Sequence, residues 1–81
     1  MDRQAFVKMV VENAKTGEWI NSWYRVGDTI VGVKAYGKWV QRMEVADKPY
    51  WSGSCSHKTL KALRSELEEG LDYLLGEANN V

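Results

Sequence analysis

The stretch Thr29-Ile30-Val31-Gly32-Val33-Lys34-Ala35-Tyr36-Gly37-Lys38-Trp39-Val40-Gln41-Arg42-Met43-Glu44-Val45 decides the fold. It has no helical period. Thr29, Val31, Val33 and Ala35 alternate with Ile30, Gly32, Lys34 and Tyr36, the two-residue repeat of a strand. Tyr36-Gly37-Lys38 turns the chain. Trp39, Gln41, Met43 and Val45 then alternate with Val40, Arg42, Glu44 and Ala46, a third strand with one more polar face. On the upstream side, Val26-Gly27-Asp28-Thr29 is a tight turn. Trp19, Ile20, Trp23, Tyr24 and Val26 suit a first strand by residue type. Gly32 suggests a bulge or a close approach to the backbone. Downstream, Ala46-Asp47-Lys48-Pro49 breaks the pattern. Pro49 has no N–H to donate and belongs on an edge or in the turn. Tyr50-Trp51-Ser52 either extends the third strand after a bulge or forms a short fourth. The glycines at 27, 32 and 37 are turn, bulge, turn, not a phosphate loop, because no helix follows and no Gly-Lys-Ser/Thr occurs.

Helices flank this sheet region. Residues 2–15 carry Phe6, Met9, Val10 and Asn13 or Ala14 at helical spacing, with Val7 and Val11 widening the apolar face. Asp2 is the N-cap candidate, and Gly17 suits the left-handed position after the last turn. Residues 56–75 place Leu60, Leu63, Leu67, Leu71 and Leu74 on one stripe. Ser54 or Ser56 would cap this helix. Gly70 weakens its interior by about 1 kcal/mol relative to Ala, and would let it pack closely on the sheet. Gly76 would stop it, leaving 77–81 frayed. The expectation is one α+β domain over 1–81 in the order α-β-β-β-α. An antiparallel meander of three or four strands carries both helices on one face, and the other face is open.

Composition narrows the function. The chain has 81 residues, 44% hydrophobic and 27% charged, which fits one globular domain. No run of about 18 apolar residues exists to span a membrane. Met-Asp-Arg-Gln begins no apolar signal region, so a cytoplasmic setting without membrane is expected. One Cys and one His cannot supply the ligands of a zinc site, so neither metal nor cofactor is expected. Cys55 and His57 are two apart at a helix start, where a thiol's pKa can fall. No orienting group lies near in sequence, and the reading is a non-enzymatic protein. A core this small needs compensation, for which four Trp and four Tyr are available, each able to bury roughly 150–250 Å².

The net charge of zero conceals a segregation. Residues 19–64 hold eight basic side chains against three acidic ones. From residue 65 the five acids Glu66, Glu68, Glu69, Asp72 and Glu77 meet no base. On the second helix, Lys58, Lys61 and Arg64 precede Glu66, Glu68, Glu69 and Asp72, an order opposed to the helix dipole. Arg64–Glu68 is its one opposite pair at i,i+4.

Two binding surfaces follow. The first combines Trp23, Trp39, Arg42 and Trp51 with an acidic helix face of Glu68, Glu69 and Asp72. Trp, Tyr and Arg anchor protein–protein interfaces, so the expected partner is a host or cellular protein complex, or a second copy in a homodimer. The alternative is nucleic acid, met by Lys38, Arg42, His57, Lys58 and Lys61.

Each surface has a family resemblance. The Trp-rich meander with Tyr36-Gly37-Lys38-Trp39-Val40-Gln41-Arg42, followed by a helix over Ser56 to Leu75, resembles small phage-encoded accessory proteins, anti-CRISPR proteins among them. That resemblance implies a compact binder that inhibits or redirects a host complex. The element order is also similar to the double-stranded-RNA-binding domain. Ser54-Cys55-Ser56-His57-Lys58-Thr59-Leu60-Lys61 falls where that family has its Ser-Lys-Lys-x-Ala-Lys helix start. The resemblance implies that Lys58 and Lys61, helped by His57, meet phosphates. The turn at Val26 to Thr29 is shorter than that family's loop and lacks its His.

Overall fold

A computed structural model of the chain describes residues 2–46, 48–50 and 56–79. The order is α1 (Arg3–Asn13), β1 (Trp19–Val26), β2 (Thr29–Tyr36), β3 (Trp39–Val45), β4 (Lys48–Tyr50) and α2 (Leu60–Asn79). The strands form one antiparallel sheet in the order β1-β2-β3-β4. This is the expected α+β meander, and its fourth strand is a separate short one. Pro49 lies on that strand at the sheet's edge, opposite Glu44.

Both helices pack on one face. Phe6, Val7, Val10 and Val11 of α1 meet Leu63, Leu67, Leu71 and Leu74 of α2 over Tyr24, Val31, Val33, Ala35, Val40 and Met43 of the sheet. Burying each of the large apolar side chains stabilises the fold by roughly 1.5–3 kcal/mol. The Phe6 and Tyr24 rings stack at 5.3 Å. The expected compensation from tryptophan is not found here. None of Trp19, Trp23 and Trp39 belongs to this core, which is aliphatic apart from Phe6 and Tyr24. Trp51 lies outside the described residues, as do Ser54 and Cys55.

Capping accounts for the helix starts. Asp2 Oδ1 accepts the Ala5 N–H at 2.8 Å, as expected. In α2, Thr59 Oγ1 accepts the Ala62 N–H at 3.0 Å. The cap is therefore Thr59 and not Ser54 or Ser56, because its hydroxyl reaches the amide three residues on. The helix starts four residues later than its sequence boundary, and Lys58 precedes it. Gly76 does not stop it either: α2 runs on through Gly76 to Asn79. A helical glycine costs only about 1 kcal/mol, less than the packing of Leu71 and Leu74 returns. Gly17 does end the first helical segment, with φ 74°.

Gly70 is fixed by contact. A methyl group there would collide with Met43 Sδ and come within 3.0 Å of Met43 Cε and Tyr50 Cδ2. Gly32 is likewise a close-approach residue. The Trp23 ring on the neighbouring strand lies across it, 3.4 Å from where a Cβ would sit. The bulge is elsewhere. Ala35 pairs with Val40 but Lys34 pairs with Arg42, so Gln41 is the extra residue on β3.

That bulge changes the phase of β3. Strict alternation would put Trp39 on the face of Met43 and Val45. With Gln41 inserted, Val40 joins Met43 in the core, and Trp39 moves to the face of Arg42 and Glu44.

Candidate functional site: the open face of the sheet

The face away from the helices is built by every second residue of β1 and β2. Trp19, Asn21, Trp23 and Arg25 stand beside Ile30, Gly32, Lys34 and Tyr36, with Trp39, Arg42 and Glu44 from β3. At one end the Trp19 ring lies 5.1 Å from Tyr36 and 5.8 Å from Trp39. The Lys34 ammonium sits 5.3 Å above Trp19, within the range of a cation–π contact. Trp19 is 49% exposed and Tyr36 45%. Trp39 is more enclosed, and its indole N–H has no acceptor among the described residues.

Towards the other end, Trp23 is 61% exposed although it covers Gly32. Arg42 and Glu44 lie alongside, 3.7 Å apart. Because Gly32 has no side chain, a shallow depression of about 230 Å³ forms there, lined by Asn21, Trp23, Gly32, Lys34, Arg42 and Glu44. A second depression of about 240 Å³ adjoins it beside Ile30 and Ala46. Both are open to solvent, unlike the enclosed clefts that hold small substrates.

Trp23, Trp39 and Arg42 thus share one face. The acidic residues are elsewhere, on α2, and do not form one surface. Arg3 of α1 reaches Glu68 at 2.9 Å and Asp72 at 2.7 Å. It also donates to the Glu68 carbonyl at 3.0 Å. Burial alone would lower the Arg3 pKa, but the hydrogen bonds and charges of Asp72 and Glu68 outweigh it and hold the group above its ordinary value. Glu66 and Glu69 sit on the other flank, near Tyr50. The Tyr50 hydroxyl is 3.4 Å from Glu66 Oε2. Burial pushes the Tyr50 pKa up, and the Glu66 and Glu69 charges add to that. Arg3 is a partner for Glu68 that spacing along α2 could not reveal, since they are 65 residues apart.

The residues of the nucleic-acid alternative divide. The His57 N–H donates to the Lys38 carbonyl at 2.8 Å, which joins the β2–β3 turn to the approach of α2. Lys38, His57, Lys58 and Lys61 therefore gather at one end of the molecule. Arg42 lies apart from them on the open face.

Comparison with known protein families, with characterised proteins and with solved structures finds no match to this chain. Among the described residues no helix is long and apolar enough to cross a membrane. Among those same residues no three His, Cys, Asp or Glu side chains group to hold a metal.

Proposed function

We propose that this chain is a non-catalytic protein-binding module that meets its partner with the open face of its sheet. One observation carries the reading. Trp19, Trp23 and Trp39 all lie on the face that the helices leave uncovered, and none is in the core. A small domain gains stability by burying its largest apolar side chains, so Trp19 and Trp23, 49% and 61% exposed on that face, point to a gain realised on binding. Indole rings with Arg42 and Lys34 at hand are the side chains that anchor protein interfaces. The partner proposed is a host or cellular protein complex in the cytoplasm. The broader role is that of a phage or mobile-element accessory protein, anti-CRISPR-like in inhibiting or redirecting that complex. Gene neighbourhood tests this role: phage or defence-locus genes alongside support it, and housekeeping genes count against it.

The binding surface is tested by parallel capture from lysate with the wild type and a Trp23→Ala, Arg42→Ala variant. Both side chains are largely exposed, so the variant keeps its fold. A partner retained by the wild type and lost by the variant is the expected result. Equal recovery by both contradicts the reading.

A second reading, nucleic-acid binding, has one observation in its favour, the gathering of Lys38, His57, Lys58 and Lys61 by the His57–Lys38 hydrogen bond. It requires affinity that falls steeply with salt, and abolition by Lys58→Glu with Lys61→Glu. A gel shift with no retarded duplex or single strand at low salt removes it.

A further inference from the structure

The two edges of the sheet differ. β4 is three residues long and contains Pro49, two devices that discourage further strands from pairing. β1, at the other edge, has eight residues, Trp19-Ile20-Asn21-Ser22-Trp23-Tyr24-Arg25-Val26. It contains no proline, its pairing with β2 is uninterrupted, and no charged side chain of its own points inward.

The hairpin geometry fixes which backbone groups this edge presents. Gly27-Asp28 is a two-residue turn, so Val26 and Thr29 form a hydrogen-bonded pair. Bonding alternates from there. Tyr24, Ser22 and Ile20 bond to β2, whereas Arg25, Trp23, Asn21 and Trp19 direct their N–H and C=O groups outward. Among the described residues nothing else bonds to those outward groups. The side chains of the same residues lie on the open face.

We propose that two copies join antiparallel through their β1 edges about a two-fold axis at Ser22. They then form one continuous sheet of eight strands, four from each copy. The register is self-complementary. Trp19 faces Arg25 of the second copy at both ends of the seam, and Asn21 faces Trp23 of the second copy on either side of the axis. Each of these pairs can exchange both of its backbone bonds. Arg25 against an indole is a cation–π pairing, made to the ring that Lys34 of the same copy also approaches. Moving the axis to Asn21 sets Arg25 against Gly17, and moving it to Trp23 sets Trp19 against Gly27. Both glycines lie beyond the strand with left-handed φ, so only the axis at Ser22 pairs every outward group. The second copy is favoured over an unrelated strand because this one sequence supplies both halves of each pair. The edge sets the backbone pairing, and the Arg25–Trp19 contact brings open-face side chains into the seam.

Sedimentation of the full chain, with backbone amide exchange followed by NMR, tests it. The expected species is a dimer. Its Asn21, Trp23 and Arg25 amides exchange slowly and become fast on dilution, while Ser22 and Tyr24 stay protected at every concentration. Asn21→Pro removes one outward N–H without touching the β2 ladder, and is expected to give a folded monomer by circular dichroism. Arg25→Glu leaves the backbone intact and serves should the proline variant not fold. It should weaken the dimer roughly tenfold. A chain that is monomeric into the millimolar range overturns the proposal. So does a dimer whose Asn21, Trp23 and Arg25 amides exchange freely, a folded Asn21→Pro variant that still dimerises, or an unchanged dimer constant in Arg25→Glu.

Discussion

Ala46 sits with φ 53° in the turn after β3, where the two earlier hairpin turns use Gly27 and Gly37 at 60° and 56°. A Cβ in the left-handed region costs roughly 1–2 kcal/mol. Ala46→Gly should therefore stabilise the protein by about 1 kcal/mol in denaturant melts, once the greater freedom of glycine in the unfolded chain is subtracted. Gly70 runs the other way. Helix propensity alone favours Gly70→Ala by about 1 kcal/mol. The added methyl would displace the fully buried Met43 and press on Tyr50, and overpacking a core costs typically about 1–3 kcal/mol. The net expectation is a loss of up to about 2 kcal/mol, and a gain in melting temperature would show that Met43 has room to move. Glycine turns are legible in a sequence because few residues tolerate positive φ. Ala46 was not legible, because the constraint there comes from the β3–β4 connection.

At the level of elements, α1 and α2 are joined by Arg3 as well as by their apolar faces. The ion pairs are partly exposed, so a double-mutant cycle on Arg3 and Glu68 should give a coupling of about 0.5–1 kcal/mol that shrinks at high salt. Tyr50 couples β4 to α2. Its pKa is raised in the folded state, so the unfolded chain loses the phenol proton first as pH climbs. Stability is complete below the unfolded value near 10 and falls as pH rises through the folded value. Tyr50→Phe should show a shallower alkaline loss than the wild type in urea melts. The leucine stripe and the hairpin turns were legible because burial imposes a period and tight turns demand glycine. The bulge at Gln41 was not, since no glycine or proline marks it, and it alone decides that Trp39 faces outward. The opposition between charges and helix dipole also weakens. Glu66, Glu68, Glu69 and Asp72 lie mid-helix in Leu60–Asn79, beyond the terminal turn where the dipole acts.

Across the whole molecule, one sheet separates two chemistries. Aliphatic side chains and two helices occupy one side, and indoles interleaved with Lys34, Arg25 and Arg42 occupy the other. Residue type could not separate these roles, because a Trp in a strand fits either face. The segregated charge resolves into distinct places: the lysines around His57 at one end, Glu68 and Asp72 held by Arg3, and a mixed open face. The central claim is that the open face binds protein. Its most direct test is calorimetric titration of the captured partner into the wild type, into Trp23→Ala with Arg42→Ala, and into Lys58→Glu with Lys61→Glu. Loss of two anchors, each contributing about 2 kcal/mol, should weaken the first variant by well over tenfold and leave the lysine variant within a few-fold of wild type. An unchanged affinity in the first and a collapse in the second would contradict the account.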